Sequence, residues 1–313
     1  MQFSIIIPTY NYAHFLSRAI DSCISQEGED WEIIVVDDGS TDNTKDILEP
    51  YIVQQSYPIR YIIQNNLGPA AARNTGIRYA NGNYLLFLDA DDALLPYSLL
   101  KFRHSLHSYN GIDFLFGGYI TIDNENHIKK HFAKQLSNNR SVNFSRFLRK
   151  KMGDIATGTA LFHKKIFNTL RFPENIRNNE DIVLIAQVFA LYHCASFPDP
   201  VLLVHRHEKS QRHNIDNIRS AGLAVVDCLF DPAILPENLM RLRQEFVSRV
   251  FLSRFRSLYL DGKDDEAKNM YSQAIRENPK HLLLFSYLRK YLRLQYKSLK
   301  KKMTSSIRVG PKL

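Results

Sequence analysis

The amino-acid sequence predicts an α/β domain on a mostly parallel central sheet with helices on both faces, followed by an α-helical C-terminal appendage. Two patterns lead to this prediction. Short, wholly apolar strand patterns alternate with helical patterns over residues 3–96, and helical periodicity dominates from about residue 217 onward. Strands that are apolar on both faces are typical of parallel sheets covered by helices.

The first part of the chain alternates strand and helix in a regular order. Predicted strands lie at 3–7, 31–36, 59–64 and 84–88, and predicted helices at 13–24 and 69–80. The second helix begins with Pro69, a residue that suits the first turn of a helix. A turn after the second strand leads to a predicted helix cap near Thr41 or Asp42.

Two acidic clusters follow predicted strands. Asp37-Asp38 comes directly after the second strand, and Asp89-Ala90-Asp91-Asp92 follows the fourth. In parallel α/β sheets, ligands bind beyond the carboxyl ends of the strands. The sequence therefore places both clusters at a candidate ligand-binding edge.

The remainder of the chain mixes strand and helix and then becomes helical. Predicted strands lie at 113–118, 119–122, 157–163 and 198–204, and predicted helices at 143–151 and 180–191. Residues 258–279 have the pattern of a single helical repeat. We interpret them as a hairpin, because one such unit cannot build a solenoid.

The composition excludes several classes of protein. Only three scattered cysteines occur among 313 residues, which argues against a disulfide framework or a zinc knuckle and fits a reducing compartment. No targeting segment is recognised, and no apolar run approaches the roughly 20 residues of a membrane span. We therefore expect a cytoplasmic location, with peripheral attachment to the inner face of the membrane as an open alternative.

The pair Asp89 and Asp91 is the most informative local motif. Residues two apart in an extended chain face the same side, so two carboxylates can address one hard cation. Magnesium and manganese prefer oxygen ligands and leave coordination positions to water and phosphates. A solvated acidic turn that caps the next helix is an equally simple interpretation of the pair.

A phosphatase is an alternative for this motif. The haloacid-dehalogenase-like phosphatases also carry Asp-x-Asp after an apolar strand, with the first Asp as nucleophile. Their fifth position is usually Thr or Val, whereas Ala93 stands there in this chain. Their motif also usually follows the first strand and not the fourth, so the alternative is disfavoured but stays open.

Several further motifs occur in a fixed order along the chain. They are Ile6-Ile7-Pro8-Thr9-Tyr10-Asn11, Val35-Val36-Asp37-Asp38-Gly39-Ser40, Ala72-Arg73-Asn74-x-Gly76, Phe87-Leu88-Asp89-Ala90-Asp91-Asp92 and Glu180-Asp181. On these residues the chain resembles glycosyltransferase family 2, the inverting, nucleotide-sugar-dependent transferases with a GT-A fold. The resemblance is strong over residues 3–96, fair over 150–210 and absent from the C-terminal helices.

The resemblance implies an organisation and an activity. It predicts a GT-A glycosyltransferase domain over 1–215, with a nucleotide-binding half at 1–96 and an acceptor-binding half at 97–215, and a helical region at 216–313. The predicted reaction moves a sugar from a nucleotide-sugar, UDP-linked on the likeness at Asp38, to a hydroxyl of a glycan or lipid-linked glycan in surface polysaccharide synthesis. A non-catalytic scaffold of the same fold is the remaining alternative.

The resemblance also implies roles for single residues on the donor side. Pro8 belongs to the donor-binding motif, Tyr10 would pack on the base, and Asp38 would accept the ring N–H of uracil. Arg73 would contact the diphosphate. The alternatives are core packing for Tyr10, a helix-capping turn for Asp38 and a solvated helix position for Arg73, and the order of the motifs favours the functional roles over them.

The metal and the chemistry are assigned by the same resemblance. Asp91 would be the principal ligand of Mn²⁺ or Mg²⁺ and Asp89 its support, with Asp92 as a further candidate. Asp181 would be the general base that takes the proton from the acceptor hydroxyl. Glu180 is a secondary candidate, because an acid at a helix start also stabilises the helix by itself.

Three further segments are secondary candidates. Arg206 and His207 stand where the family often carries a basic segment that closes over the diphosphate. His163 and the region around Gly158 stand where the family usually shapes the acceptor pocket. A polar loop accounts for Arg206 and His207 equally well.

The C-terminal region carries the positive charge. Residues 241–313 contain 18 Lys or Arg and 6 Asp or Glu, so they carry +12 while the rest of the chain carries −3. The 281–302 helix is predicted to be amphipathic. Its basic face contains Arg289, Lys290, Arg293, Lys297 and Lys300, and its apolar face Leu284, Tyr287, Leu288, Tyr291, Leu292 and Leu299.

This helix fits an anionic membrane surface, although a helix packed on the body with a solvated basic face is an equal interpretation. A nucleic-acid partner is not expected, because no recognition motif accompanies the charge.

Overall fold

The computed structural model describes residues 1–54, 56–109, 111–176, 179–206 and 223–307, the last seven as backbone only. The chain groups into two compact units. One is Met1–Asn214 with Asp231–Pro236, and the other is Ile215–Phe230 with Glu237–Leu313. The assignment of separate nucleotide-binding and acceptor-binding halves stays a prediction.

The first unit alternates strands and helices before it becomes irregular. Its elements are β1 (Phe3–Thr9), α1 (Ala13–Ile24), β2 (Trp31–Asp37), α2 (Thr44–Val53), β3 (Ile59–Ile63), α3 (Pro69–Tyr79), β4 (Tyr84–Phe87), β5 (Ala93–Leu94), α4 (Ser98–Ser108), β6 (Phe114–Ile122), β7 (Ile128–His131), α5 (Arg140–Leu148), β8 (Ala160–His163), α6 (Glu180–Leu191) and β9 (Cys194–His205). The predicted α/β fold is confirmed, and helices 13–24 and 180–191 have the predicted bounds.

One mixed sheet organises this unit. The strand order is β3-β2-β1-β4-β8-β6-β9-β5, and β7 pairs with β6. The strands β1 to β4 are parallel to one another, as predicted, whereas β8 is antiparallel to both of its neighbours. The four N-terminal strands therefore form one parallel block, and β8 joins them to the second half of the sheet, where β6 and β9 are parallel to each other.

The parallel strands are buried because helices cover them. Every residue of β2 is buried, and α1 turns its apolar stripe inward. The helix α3 approaches β1 so closely that a Cβ at Gly76 would lie 2.3 Å from Cγ2 of Ile6. Only a glycine allows this approach, so the residue explains how α3 reaches the sheet.

Several elements differ from the predictions. The two strands predicted at 113–118 and 119–122 are one strand, β6, with an irregular register around Gly118. The strand predicted at 157–163 begins with a 3₁₀ turn at Thr157–Thr159. The short strands β5 and β7 were not predicted, because two to four residues carry too little periodicity for recognition.

The second unit is helical in its described part. Its helices are α7 (Ala224–Leu229), α8 (Glu237–Met240), α9 (Arg243–Leu260), α10 (Asp264–Glu277) and α11 (Phe285–Ile307). A tight turn at Gly262 joins α9 to α10, which form the predicted hairpin. Among the described helices, none combines the length and the apolar character that crossing a bilayer requires.

Candidate active site

The candidate site lies at the carboxyl edge of β1, β2 and β4. Since these strands are parallel neighbours, the residues that follow each of them emerge at the same edge. The sheet therefore gathers the motifs after β1, β2 and β4, which are far apart in the sequence.

Polar contacts tie the loop after β1 to the loop after β2. Asn11 has a positive φ of 56°, and its side-chain oxygen accepts from the backbone N–H of Thr41 at 2.7 Å. Asp42 accepts from the backbone N–H of Ala13 at 3.1 Å and from the Thr44 hydroxyl at 2.5 Å. Burial acts to raise the pKa of Asp42, but these hydrogen bonds hold it below its usual range. These hydrogen bonds hold the two loops together at the carboxyl edge of the sheet.

The Asp37-Asp38 cluster is buried and engaged by protein donors. Asp37 accepts from the Ser40 backbone N–H at 2.8 Å and from the Tyr61 hydroxyl at 2.6 Å. Asp38 is 3% exposed. Its carboxylate accepts from Gln64 Nε2 and from the backbone N–H groups of Leu67 and Gly68, over 2.7, 2.9 and 2.7 Å respectively. The predicted contact of Asp38 with a base would therefore use the remaining capacity of an occupied carboxylate.

The residues predicted to meet the base differ in exposure. Tyr10 is 39% exposed and directly follows β1. Pro8 lies within β1 opposite Val36 and is partly buried. An exposed tyrosine face suits a planar base, and this part of the prediction stays compatible with the geometry.

Arg73 is the centre of a buried ionic junction. It lies on α3 and is 6% exposed. Its guanidinium donates to Glu180 Oε1 at 2.6 Å and to Asp89 Oδ1 at 2.9 Å, and it lies over the ring of Phe172 at 5.3 Å. Burial acts to lower the pKa of Arg73, but the charges of Asp89, Glu180 and Asp181 raise it above its ordinary value.

This junction gives Arg73 partners within the protein. Two carboxylates each accept one hydrogen bond from its terminal nitrogens, and the diphosphate contact that the resemblance implies stays a prediction for the remaining N–H groups. Within the part of the chain that the structure describes, the buried Nε has no hydrogen-bond partner. Arg73 thus joins the Asp89 motif to the Glu180-Asp181 pair, although they are about ninety residues apart in the sequence.

The carboxylates after β4 have unequal surroundings. The side chain of Asp89 is 37% exposed beside Arg73, and Asp91 is partly buried. Asp92 is buried and accepts from the backbone N–H of His205 at 3.2 Å, which ties this turn to the end of β9. Asp89 and Asp91 are therefore the more accessible members of the cluster.

Two neighbours of this turn were missed from the sequence. Arg18 on α1 donates to the backbone carbonyl of Asp91. Burial, and then the charges of Asp91 and Asp89, raise the pKa of Tyr12 to about 12. Tyr12 directly follows the Pro8–Asn11 motif, so its position was the available signal. For Arg18 the helical pattern gave none.

The Glu180-Asp181 pair begins α6, after Asn179 with a φ of 67°. Glu180 is buried against Arg73, whereas Asp181 is partly buried. Burial and the negative charge of Glu180 raise the pKa of Asp181 to about 6, and Arg73 partly opposes this rise. A carboxylate with a pKa near neutrality has the property that a general base needs.

The secondary candidates have different outcomes. The backbone N–H of Arg206 donates to Ile122 at the end of β6, and His207 lies outside the described residues. His163 pairs with Tyr84 at the start of β4, the end of that strand opposite to Asp89. Its assignment to the acceptor pocket stays a prediction.

The donor set at the edge fits a hard divalent cation. Asp89 and Asp91 offer carboxylate oxygens on one turn. The negative charges of both act to raise the pKa of Tyr12, which places both near that side chain. Within the described ranges, no group of three or more His, Cys, Asp or Glu side chains is assembled to hold a metal. Phosphate and water oxygens would have to complete the coordination, as is common for magnesium sites.

The fold and this site define an α/β protein of the GT-A type. The solved structure of S. aureus TarS 1–349 in complex with UDP has a TM-score of 0.63 at 19% sequence identity, and the match covers 98% of this chain and 92% of that one. The mannosyltransferase PcManGT from Pyrobaculum calidifontis, in complex with GDP-Man and Mn²⁺, has a TM-score of 0.58 at 18% identity, with coverages of 94% and 84%.

The chain belongs to glycosyl transferase family 2, whose model matches residues 4–171. This membership contradicts the phosphatase alternative. The chain is 33% identical over 173 residues to the Escherichia coli UDP-Glc:alpha-D-GlcNAc-diphosphoundecaprenol beta-1,3-glucosyltransferase WfgD, a match that covers 54% of this chain and 63% of that protein.

Two other relatives show the same partial coverage. A GalNAc(5)-diNAcBac-PP-undecaprenol beta-1,3-glucosyltransferase of Campylobacter jejuni is 32% identical over 180 residues, or 56% of each chain. An uncharacterized glycosyltransferase of Rickettsia bellii is 34% identical over 184 residues, which cover 58% of this chain and 25% of that protein. The chain therefore matches between a quarter and 63% of the length of these three relatives.

Proposed function

We propose that this protein is an inverting glycosyltransferase that moves a sugar from a UDP-linked donor to a hydroxyl of a lipid-linked glycan in surface polysaccharide synthesis. The observation that carries this proposal is the buried junction at Arg73. It joins the exposed carboxylate of Asp89 to Glu180, the residue directly before Asp181. A candidate metal ligand and a candidate base are thereby held around one space, as group transfer requires.

The comparisons support the donor and the acceptor classes. TarS structures contain UDP and UDP-GlcNAc, and the E. coli relative is named as using UDP-Glc. The E. coli and C. jejuni relatives are both named for acceptors on diphosphoundecaprenol or PP-undecaprenol. We therefore favour a glycan carried on a lipid diphosphate over a soluble sugar acceptor.

In the proposed mechanism, Asp181 takes the proton from the acceptor hydroxyl, and the resulting oxygen attacks the anomeric carbon opposite the leaving phosphate. Attack from that side inverts the configuration. Asp89 and Asp91 would hold Mn²⁺ or Mg²⁺, and the ion would supply Lewis-acid stabilisation of the departing nucleoside diphosphate. Arg73 orients Asp89 and Glu180, so its part is to position both halves of the site.

Replacing the base tests the mechanism. We expect Asp181→Asn to lower transfer by about 10²–10⁴-fold and to leave donor affinity unchanged, because donor binding does not need a proton acceptor. The rate of the unchanged protein should rise with pH through about 6, where Asp181 loses its proton. The measurements are sugar transfer to a lipid-linked acceptor and UDP binding by calorimetry.

The control is Asp199→Asn, which removes a carboxylate from an exposed position on β9.

The stability of the Asp181→Asn variant provides a second check. Because the folded pKa of Asp181 lies above its ordinary value of 3.8, ionisation costs the folded state free energy above pH 6 and nothing below about pH 4. Asp181→Asn should therefore gain stability only at the higher pH, and near-normal turnover in this variant would exclude Asp181 as base.

Nucleotide binding distinguishes the enzyme from a scaffold. With UDP and Mn²⁺ at 100 times the dissociation constant, we expect about 2.7 kcal/mol of stabilisation and a matching rise in melting temperature. GDP, dTDP and UDP without metal are the controls. If no nucleotide shifts the melting temperature, either alone or with the acceptor present, the scaffold alternative stands.

A further inference from the structure

Helix α11 has two apolar faces, and only one of them is packed. The sequence predicted one apolar face that contains Tyr287, Tyr291, Leu292 and Leu299 together. In the structure Tyr287 and Tyr291 are partly buried, whereas Leu292 and Leu299 are 56% and 60% exposed. The residues of the predicted apolar face are therefore divided between a side that packs on the protein and a side that faces solvent.

The packed face rests on the α9–α10 hairpin of the same unit. Tyr291 stacks on Tyr271 with ring centroids 4.3 Å apart, and Leu294 is 5% exposed. Two of the predicted basic residues also face the hairpin: Lys290 lies over the Tyr259 ring at 5.7 Å, and Lys297 pairs with Asp264 at 2.6 Å. These contacts stabilise the helix on its hairpin and use part of its positive charge.

The other face carries large apolar side chains toward solvent. Leu292 and Leu294 lie about 160° apart around the helix, because each residue turns it by about 100°. Phe285 and Tyr296 are 75% and 70% exposed on the same side as Leu292. With Leu288 they line a shallow groove. Exposed apolar patches of this kind mark interaction surfaces.

Positive charge borders this groove. Arg289 and Arg293 line it beside the apolar residues, and both are exposed. From residue 278 to residue 313 the sequence contains ten Lys or Arg and no Asp or Glu. A protein partner would need an acidic rim around an apolar ridge, whereas an anionic bilayer offers negative head groups above an apolar interior at every point. The charge and the apolar stripe together favour the bilayer.

We propose that the exposed face of α11, formed by Phe285, Leu288, Arg289, Leu292, Arg293, Tyr296 and Leu299, binds the surface of an anionic membrane. The apolar side chains enter the boundary between head groups and acyl chains, and the two arginines contact lipid phosphates. The binding face thus keeps Leu288, Leu292 and Leu299 of the apolar face that the sequence pattern indicated, but not Tyr287 and Tyr291. This proposal rests on the helical unit alone and stands or falls separately from the glycosyltransferase activity.

Vesicle sedimentation of the full-length protein tests the proposal. We expect binding to vesicles of equimolar phosphatidylcholine and phosphatidylglycerol, and much weaker binding to phosphatidylcholine alone. The double variant Arg289→Gln, Arg293→Gln should lower the partition coefficient by about 25-fold, since each basic residue near such a surface contributes about fivefold. The triple variant Phe285→Ser, Leu292→Ser, Tyr296→Ser should abolish binding.

The matched control is Lys129→Gln with Lys130→Gln, which removes two charges from exposed positions on β7 and should leave binding unchanged. Circular dichroism and melting temperature confirm that each variant is folded. Equal binding to neutral and anionic vesicles would overturn the proposal, as would variants that bind like the original protein. A concentration-dependent dimer that the triple variant abolishes would also overturn it, because a second copy would then cover this face.

Discussion

The two acidic clusters at the carboxyl edge of the sheet look alike in sequence but differ in structure. Both follow an apolar parallel strand and both contain adjacent aspartates. Asp38 is 3% exposed, and its carboxylate accepts three hydrogen bonds from protein donors. The side chain of Asp89 is 37% exposed and has Arg73 beside it. The aspartates of the first cluster are therefore engaged by protein donors, whereas Asp89 in the second cluster remains accessible to solvent.

The segment that follows β3 explains the difference between the surroundings of Asp38 and those of Asp89. After β3 the backbone passes close to Gly39, where an added Cβ would lie 3.2 Å from the backbone nitrogen of Asn66. This close passage brings the N–H groups of Leu67 and Gly68 to Asp38. The turn after β4 is instead fastened by Asp92 to the end of β9. Asp89 and Asp91 are therefore not needed for that connection.

The largest effect that we expect is a loss of activity on substitution in the second acidic cluster. Asp91→Asn should lower sugar transfer by about a thousandfold, because a metal on the leaving group contributes several kcal/mol to the transition state. The change in melting temperature should be small by comparison. Steady-state kinetics with a Mn²⁺ titration checks this expectation, and an undiminished rate would remove Asp91 from the site.

The second expected effect is a larger loss of stability on substitution in the first acidic cluster than in the second. Asp38→Ala leaves two backbone donors and the Gln64 amide without their acceptor, so we expect a loss of about 3–5 kcal/mol in the free energy of unfolding. Asp91→Ala is the matched control and should lose clearly less. Urea denaturation measures both. Equal losses in the two variants would show that the clusters do not differ in structural role.

The smallest expected effect concerns Asp37. Burial and the hydrogen bond to Asp37 raise the pKa of Tyr61, whose hydroxyl is the donor at 2.6 Å. Tyr61→Phe removes that donor and should cost about 1 kcal/mol of stability. Donor binding should remain as it was. A loss of UDP affinity in this variant would mean that the first cluster also contributes to the ligand site.

The sequence predicted which strand ends carry the candidate site residues better than it predicted the hydrogen-bond partners of those residues. Strands β1 to β4 were recognised because each is a short, largely apolar run bounded by turn residues. Their order then placed Asp38, Asp89 and Tyr10 at one edge. The pairing of Arg73 with Glu180 was not predicted, because it depends on how α6 meets the sheet, and no local pattern in the sequence contains that distance.

The same limit applied to the C-terminal helix. Periodicity identified an amphipathic segment, but two apolar sides of one helix cannot be told apart by periodicity until one of them is packed. The contact of Tyr291 with Tyr271 decided which side is buried.

By itself, the sequence determined the α/β class, the strand ends that carry the acidic motifs and the excess of charge near the C-terminus, since these depend on residue order and composition. Only the tertiary structure decided that Asp38 is an occupied acceptor, that Arg73 joins Asp89 to Glu180, and that Leu292 faces solvent. The physical reason is that burial and hydrogen-bond partners arise from elements distant in the chain, and their energies depend on distances that packing alone sets.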